Sequence, residues 1–244
     1  MASPSSWSGG RHVVGKAHRQ AEKFAAELHA YRRWVPAIAD RAPTLLGADP
    51  VAQVLLLGHV AGRPPEAADP RLHRRAGSLL ARFHAAEVTV RLDGFHDHWR
   101  SRLDDWMARA RPGVLTETEV DTAGHHLAVV AGLPDPDGVP THRDWQPRNW
   151  LLDDGGELWA IDFEHARIAA WFEDVMRLWW QEWRAVPELS DAFFEGYGRA
   201  LDDVERRWLM ATSAVAHVST IVWADEHDDA AFGAAARAHL ASIA

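Results

Sequence analysis

The sequence lacks cysteine entirely, and only two of its 244 residues, Lys16 and Lys23, are lysines. Without cysteine, neither a disulfide framework nor a thiolate metal site can form. No apolar run approaches the roughly 18 residues that a membrane-spanning helix needs. The Ser- and Gly-rich stretch 1–10 also lacks the basic-then-apolar pattern of a secretion signal. We therefore expect a cytoplasmic protein that does not associate with a membrane.

Basic residues are fewer than acidic residues: the chain has 26 Lys and Arg and 35 Asp and Glu, which gives a net charge of −9. A nucleic-acid-binding protein needs a basic surface, so this class of partner is not expected. An acidic cleft would concentrate a cationic small molecule, which is the partner that we predict. The alternative is that the acidity only keeps the protein soluble.

Local patterns predict a small β-rich region at the beginning of the chain. A strand is predicted over 11–16, and apolar residues at three- and four-residue spacing predict a helix from His18 to about Asp40. Two further strands are predicted over 44–46 and 53–57, with a turn at 47–50 between them.

A loop is predicted at 58–65, and we place a lobe boundary there. The rest of the chain is predicted to be mainly helical. Helices are predicted over 69–87, 96–111 and 116–131, followed by a loop at 133–140, a hairpin of strands 150–152 and 158–161, and four helical stretches from Phe172 onward. The fold class is therefore α+β, with a small lobe at residues 1–60 and a mainly helical lobe at 61–244.

Three residues around the predicted hairpin have the chemistry of a phosphoryl-transfer site. Asp144 is followed five residues later by Asn149, which leads into the hairpin, and Asp162 ends its second, apolar strand. Phosphoryl transfer needs a carboxylate to orient the attacking hydroxyl, and oxygen ligands to hold Mg²⁺. The alternative is that these residues only form turns and caps, which Asp and Asn also favour.

The same segment resembles a known family. His142-Arg143-Asp144 with Asn149 matches the catalytic loop shared by protein kinases and small-molecule kinases. The string 161–166 looks like the metal-binding motif of choline kinases and aminoglycoside phosphotransferases. The similarity extends over almost the whole chain. It implies a protein kinase-like two-lobed fold with a reduced N-terminal β lobe and a larger, mainly helical C-terminal lobe.

The resemblance also implies roles for the residues of the loop and the hairpin. Asp144 would be the catalytic base, and His142 would support the catalytic loop. Asn149 would complete the catalytic loop and, together with Asp162, would ligate Mg²⁺. Asp174 resembles the buried Asp that braces the loop.

In the small lobe, the resemblance implies a site for the phosphate donor, ATP or GTP. Lys16 would grip the phosphates, and Glu27 on the following helix would hold Lys16 in place. The segment 55–60, which includes Leu57 and His59, would be the hinge whose backbone binds the base.

Candidate acceptor-binding residues are aromatic or acidic: Trp145, Glu164, Trp180, Asp225 and Glu226. An aromatic ring could stack on the acceptor or on a cation, and a carboxylate could contact an amine. The alternatives are that the tryptophans pack in the core and that the acidic run 225–229 is a solvated loop between helices.

Two departures from the family pattern stand out. Fifteen residues precede Lys16, where the family has two strands and a phosphate-covering loop, and Ser8-Gly9-Gly10 could be the remnant of that turn. In addition, Gln146 stands where protein kinases carry a lysine that contacts the transferred phosphate. The second departure favours small-molecule kinases over protein kinases.

We therefore predict a Mg²⁺-dependent phosphotransferase that uses ATP or GTP to phosphorylate a hydroxyl group of a small molecule. The first choice of acceptor is an amine-bearing antibiotic or related natural product, with a role in antibiotic resistance or biosynthesis. The alternatives are a kinase for choline, ethanolamine or a sugar, and a non-catalytic pseudokinase, which the reduced small lobe motivates.

Overall fold

The computed structural model describes the backbone of residues 5–6 and all of residues 12–244. The possible turn at Ser8-Gly9-Gly10 lies outside these residues. In chain order the elements are β1 (Ser5–Ser6), β2 (His12–Ala17), α1 (Ala21–Arg33), β3 (Leu45–Asp49), β4 (Val54–Gly58), α2 (Pro70–His84), β5 (Val90–Arg91), α3 (Phe95–Arg109), α4 (Glu117–Val130), β6 (Asp137–Thr141), β7 (Trp150–Leu152), β8 (Leu158–Ala160), β9 (Arg167–Ala170), α5 (Met176–Trp180), α6 (Glu182–Ala185), α7 (Glu188–Tyr197), α8 (Asp203–Glu226) and α9 (Ala230–Ala241).

The chain forms two compact units. The first unit comprises residues 1–90 and 138–200, and the second unit comprises residues 91–137 and 201–244. The mixture of small sheets and many helices is an α+β fold, as the sequence predicts. The division into lobes at residue 60 stays a prediction.

A four-stranded antiparallel sheet begins the first unit, in the order β1-β2-β4-β3. Strand β4 alternates between the two faces, so Leu55 and Leu57 are buried whereas Leu56 is 45% exposed. Lys16 on β2 lies opposite Leu55, which fixes its position in the sheet. The predicted strand is therefore confirmed over the described residues, and Arg11, where the prediction began, lies outside them.

The turn between β3 and β4 lies later than the sequence suggests. Residues 47–49 continue β3, and the chain turns at 50–53 instead of 47–50. The Oδ1 atom of Asp49 accepts hydrogen bonds from the backbone N–H groups of Val51 at 2.9 Å and Ala52 at 3.0 Å. Asp49 therefore initiates the turn with its side chain while its own backbone still belongs to the strand.

The predicted helix 18–40 is confirmed over residues 21–33 and is wrong beyond Arg33. Helix α1 ends at Arg33, and a 3₁₀ turn follows at Val35–Ile38. Pro36 explains the break, because proline has no N–H to donate and disfavours helical geometry in the residue before it. Within α1 the apolar periodicity holds, since Phe24, Leu28 and Tyr31 are buried.

Helices α2 and α7 pack closely in the first unit. Gly77 on α2 and Gly196 on α7 permit this contact, because a Cβ atom at either position would collide with the backbone of the other helix. Asp69 caps α2 by accepting a hydrogen bond from the N–H of Arg71 at 2.9 Å.

The predicted hairpin is confirmed, with Trp150 opposite Ala160 and Leu152 opposite Leu158. The predicted loop 133–140 is wrong in its second half, because residues 137–141 form β6 and pair with β9.

The segment after Phe172 contains five α-helices, α5 to α9, whereas four helical stretches were predicted.

The second unit contains α3, α4, α8 and α9. Thr116 caps α4 and Asp202 caps α8, each through a capping box with the glutamate three residues later. Fully buried side chains such as Trp99 and Trp208 form its core. None of the helices in the described part of the chain has the length and apolar character needed to cross a membrane.

Candidate active site

Asp174 holds the loop that follows β6. Its carboxylate accepts the backbone N–H of His142 at 2.8 Å and that of Arg143 at 2.5 Å, and His84 Nε2 lies 2.9 Å from it. Arg143 has a left-handed backbone (φ 68°), which is unusual for a residue other than glycine. The structure thus gives Asp174 the buried, loop-bracing position that the resemblance implies.

The pKa of Asp174 reflects two opposing effects. Complete burial penalises the charged form, but the hydrogen bond and charge of His84 and the backbone N–H of His142 outweigh it. The pKa of Asp174 is therefore lowered from the ordinary value of a carboxyl group. Asp174 remains ionised and continues to accept the hydrogen bonds that shape the loop.

His142 is completely buried and connects the loop to the hairpin. Its Nε2 atom lies 3.0 Å from the carbonyl oxygen of Ile161, so Nε2 donates the proton. Its ring packs against Trp145 and Phe163 at centroid distances of 5.3 and 4.9 Å. This position favours the loop-supporting role over direct chemistry.

Four side chains converge on the carboxylate of Asp144, which is only 5% exposed. Gln146 Nε2 donates to Oδ1, Asn149 Nδ2 donates to Oδ2 at 2.8 Å, Arg148 contacts Oδ2 at 2.7 Å, and Arg177 Nε lies 3.0 Å from Oδ1. Burial disfavours the charge on Asp144, but the hydrogen bond from Arg148 and the charges of both arginines outweigh it. The pKa of Asp144 is consequently lowered.

Asn149 and Asp162 lie at the same end of the hairpin. The N–H of Ile161 donates to the carbonyl of Asn149 at 3.0 Å, which extends the ladder one step beyond Trp150 and Ala160. On the other side of Asp162, the N–H of Phe163 donates to Glu27 at 3.1 Å. Asp162 itself has a left-handed backbone with φ 69°.

The oxygens of Asn149 and Asp162 fit a divalent cation. Because Asn149 Nδ2 is already bonded to the backbone and side-chain oxygens of Asp144, its Oδ1 atom is the one left for a metal. Asp162 keeps 37% of its side chain exposed and so has room for a further ligand. One carboxylate and one amide oxygen are ligands that Mg²⁺ accepts, with water and phosphate oxygens completing the shell.

Lys16 lies among carboxylates. Its Nζ atom is 2.7 Å from Glu27, 2.7 Å from Asp162 and 3.5 Å from Glu164. Burial favours neutral Lys16, but the charges of Glu27 and Asp162 outweigh this and raise the pKa of Lys16. The structure therefore brings together Lys16 and Glu27, which the sequence places on a strand and the helix after it.

Glu27 and Glu164 have additional basic partners. Glu27, which is completely buried, also contacts His18 Nε2 at 2.6 Å, and Glu164 contacts Lys23 at 2.7 Å. Burial works against the charge of Glu164, but the hydrogen bond from Lys23 and the charge of Lys16 lower its pKa. Both lysines of the chain thus belong to this cluster.

The two predicted hinge residues differ in exposure. Leu57 is buried in β4, whereas His59 follows the strand and donates its backbone N–H to the carbonyl of His12 at 3.0 Å. His59 also lines a cavity of about 450 Å³ together with Thr44, Asp153 and Trp159. Lys16 and Asp162 do not line this cavity, so it is separate from the phosphoryl-transfer residues.

The two candidate tryptophans have different environments. Trp145 is 1% exposed and packs against His142 and Trp150, so its ring offers no open face to an acceptor. Trp180 is 5% exposed and lines a largely apolar groove of about 260 Å³ with Trp179, Trp183 and Pro187. The guanidinium group of Arg184, which also lines this groove, lies 5.8 Å from the centre of the Trp180 ring. Only Trp180 of this pair therefore borders an open volume.

Asp225 and Glu226 lie at the end of α8 in the second unit, not in a solvated loop. Each is engaged by a guanidinium group: Arg111 Nε contacts Asp225 at 2.8 Å, and Arg109 Nε contacts Glu226 at 2.5 Å. A second nitrogen of each arginine binds the other carboxylate oxygen, so both pairs are bidentate. Their part in acceptor binding stays a prediction.

The contacts of Arg148 and Arg177 with Asp144 were not predicted from the sequence. Arg148 lies in the catalytic loop, four residues after Asp144, and this spacing was an available signal. Arg177 comes from α5, far along the chain, and no local pattern connects it to Asp144. Lys23 and His84 were missed for the same reason, because their partners are distant in sequence. His18 was missed although its partner, Glu27, lies only nine residues later.

Residues 6–209 match the phosphotransferase enzyme family. The chain belongs to this family, and it is a small-molecule kinase that acts on a hydroxyl group. No curated protein matches the sequence.

Solved structures of phosphotransferases share the fold at low sequence identity. The macrolide 2'-phosphotransferase of Brachybacterium faecium is 18% identical, with a TM-score of 0.68, 98% of this chain covered and 87% of the other. The choline kinase of Streptococcus pneumoniae is 13% identical, with a TM-score of 0.72 and coverages of 99% and 89%. The GDP complex of aminoglycoside 2'-phosphotransferase-IIIa is 15% identical, with a TM-score of 0.69 and coverages of 99% and 92%. The protein kinase-like fold is therefore confirmed.

Proposed function

We propose that this protein transfers the γ-phosphoryl group of ATP or GTP, in the presence of Mg²⁺, to a hydroxyl group of an amine-bearing small molecule. The observation that carries the proposal is the hairpin end, where Asn149 and Asp162 lie between Asp144 on one side and the Lys16–Glu27 pair on the other. This is the inventory that phosphoryl transfer needs, held by hydrogen bonds within one unit.

Each side chain would have a distinct task. Asp144 would orient the acceptor hydroxyl and take its proton, for which its lowered pKa keeps it ionised. Lys16 would bind donor phosphate oxygens, and Glu27 would hold Lys16 in place. Asn149 and Asp162 would hold Mg²⁺, which supplies charge neutralisation at the phosphates.

A nucleotide donor is supported by relatives of the same fold, one of which was solved with GDP. The choice between ATP and GTP stays open, because hinge residues such as Leu57 and His59 would recognise the base through backbone groups. A cationic acceptor is supported by the net charge of −9. The relatives include enzymes for aminoglycosides and choline, both of which carry cationic nitrogen.

The Trp180 groove would be the acceptor side of the site. Helix α5 carries Arg177 to Asp144, and Trp180 follows three residues later on the same helix face. An acceptor in this groove would therefore lie beside the helix that also carries Arg177 to the catalytic carboxylate. Glu164 stays a second candidate for contact with an amine.

Release of ADP or GDP with a panel of acceptors would test the proposal. One half of the panel would contain aminoglycosides and macrolides, and the other half choline, ethanolamine and sugars. We expect an antibiotic-like amine to give turnover above the acceptor-free rate, with loss of turnover in EDTA and recovery on adding Mg²⁺. Turnover only with choline, ethanolamine or a sugar would favour the metabolite kinase. Turnover that survives EDTA would contradict the metal-dependent mechanism.

A further inference from the structure

Two arginines share the carboxylate of Asp144. Arg148 contacts Oδ2 at 2.7 Å and Arg177 contacts Oδ1 at 3.0 Å. The side chain of Arg148 is 66% exposed and that of Arg177 is 40% exposed, whereas that of Asp144 is almost completely buried. One carboxylate balances one guanidinium charge, so this group has an excess positive charge on its exposed side.

The other basic groups described at the site are matched by acids. Lys16 and Lys23 lie among Glu27, Asp162 and Glu164, and Arg143 pairs with Glu173. Gln146, at the position where protein kinases carry a phosphate-contacting lysine, is neutral and donates to Asp144. The loop thus lacks the lysine of protein kinases but has two arginines at the same carboxylate.

The proposed reaction brings phosphate oxygens to this place. The acceptor hydroxyl, hydrogen-bonded to Asp144, would form a bond to the γ-phosphorus while the bond to the β,γ-bridging oxygen breaks. Its proton would pass to Asp144, and the nucleoside diphosphate would leave. The phosphoryl oxygens would then lie within about 6 Å of the Asp144 carboxylate, two hydrogen-bond lengths away. An arginine in contact with Asp144 can reach that distance.

We propose that Arg177, assisted by Arg148, is a catalytic residue that binds the transferred phosphoryl group and takes the place of the absent loop lysine. The inference rests on the proposed function and adds a residue to it. Guanidinium groups suit this task because their planar donors match phosphate oxygens and they stay charged at all working pH values. Arg177 would turn from Asp144 toward the phosphate when a nucleoside triphosphate binds.

Calorimetric binding of Mg²⁺ with ADP and with AMP-PNP, a non-hydrolysable ATP analogue, separates this role from one of merely holding Asp144. A phosphoryl-binding arginine contacts the γ-phosphate, which ADP lacks. We expect Arg177→Gln to weaken AMP-PNP binding about ten-fold, the effect of losing a charged hydrogen bond, and to leave ADP binding unchanged. Arg148→Gln should weaken AMP-PNP binding less, because Arg148 is the more exposed of the two.

Arg74→Gln is the matched control, because Arg74 forms an exposed ion pair with Glu195 away from the loop, and it should leave both affinities unchanged. If Arg177→Gln does not fold, Arg177→Met tests the same point, since it also removes the positive charge. The inference is overturned if a folded Arg177 variant binds AMP-PNP as tightly as the intact protein, or if it loses AMP-PNP and ADP equally. Failure of the intact protein to bind these adenine nucleotides and also GDP and GMP-PNP, their guanine counterparts, would instead overturn the proposed function, and this inference with it.

Discussion

Two charged clusters in the first unit have opposite balances. Around Lys16, three carboxylates, Glu27, Asp162 and Glu164, share the two lysines of the chain. Around Asp144, one carboxylate shares two arginines. The first cluster therefore has an excess of negative charge, and the second has an excess of positive charge.

The difference matches what each cluster would have to bind. An acidic surplus beside Asp162 favours a divalent cation, and a basic surplus beside Asp144 favours the charge that spreads over a phosphoryl group during transfer. Asn149 connects the two, because its side chain bonds to Asp144 and its backbone to Ile161, next to Asp162. Single substitutions can alter one cluster at a time.

The largest effect should come from Asp144→Asn. We expect kcat to fall about 100- to 10,000-fold, because the acceptor proton loses its base, while the affinity for Mg-nucleotide stays close to that of the intact protein. Steady-state kinetics and calorimetry would measure the two quantities. Asp154→Asn, in the exposed hairpin turn, is the control and should leave both unchanged. Undiminished turnover in Asp144→Asn would exclude Asp144 as the base.

The second-largest effect should be a difference in Mg-ATP affinity between variants of the two lysines. Lys16→Met should weaken Mg-ATP binding about ten-fold or more, because the donor phosphates lose a charged hydrogen-bond donor. Lys23→Met should have a much smaller effect, since Lys23 contacts Glu164 and not Asp162. Equal losses of affinity in the two variants would mean that the cluster acts only through its overall charge.

Asp174, whose carboxylate holds the loop that carries Asp144, gives a prediction about stability. Asp174→Asn should lower the free energy of unfolding by about 3 kcal/mol at neutral pH, because it removes the charge that His84 and the loop N–H groups face. Because hydrogen bonds and nearby charges outweigh the effect of burial, the pKa of Asp174 is lower in the folded state than its unfolded-state value of 3.8. The contribution of Asp174 to the free energy of unfolding is therefore fully present at pH values above 3.8. It is lost as the pH falls through the folded-state pKa.

Urea unfolding of the intact protein and of Asp174→Asn, in a series from neutral to acidic pH, would check both points. The difference between the two should shrink as the pH falls. Asp97→Asn, with a side chain that is 92% exposed, serves as the control. A difference that grows on acidification would contradict the direction of the pKa shift.

The smallest effect should come from Glu164→Gln, which reduces the acidic surplus without removing a proposed metal ligand. The Mg²⁺ concentration for half-maximal turnover should rise by no more than about five-fold, as for a partly exposed ion pair. A complete loss of metal response would instead make Glu164 a metal ligand.

Local signals predicted much of this architecture. The hairpin that presents Asn149 and Asp162 follows from two short apolar strands around a Gly-rich turn, and the strand of Lys16 follows from its valines. Errors arose where one residue overrides a pattern. Pro36 ends a helix whose apolar periodicity continues, and Asp49 caps a turn while its backbone stays in the strand.

The charge balance of the site was harder to predict, because it depends on contacts between distant segments. Arg177 reaches Asp144 from a helix 33 residues later, and His84 reaches Asp174 from 90 residues away. Neither contact leaves a periodicity or a spacing in the sequence. The family resemblance supplied the residue types of the site and the pairing of Lys16 with Glu27. Only the three-dimensional structure supplied the arginines at Asp144 and the histidine at Asp174.

The central claim is a metal-dependent nucleotide site that includes Asp162. Calorimetric titration of the intact protein and of Asp162→Ala with Mg-ATP and Mg-GTP tests it most directly. The account predicts saturable binding of at least one nucleotide by the intact protein, dependent on Mg²⁺ and lost in Asp162→Ala. Absence of binding by the intact protein, or equally tight binding by a folded Asp162→Ala, would contradict it.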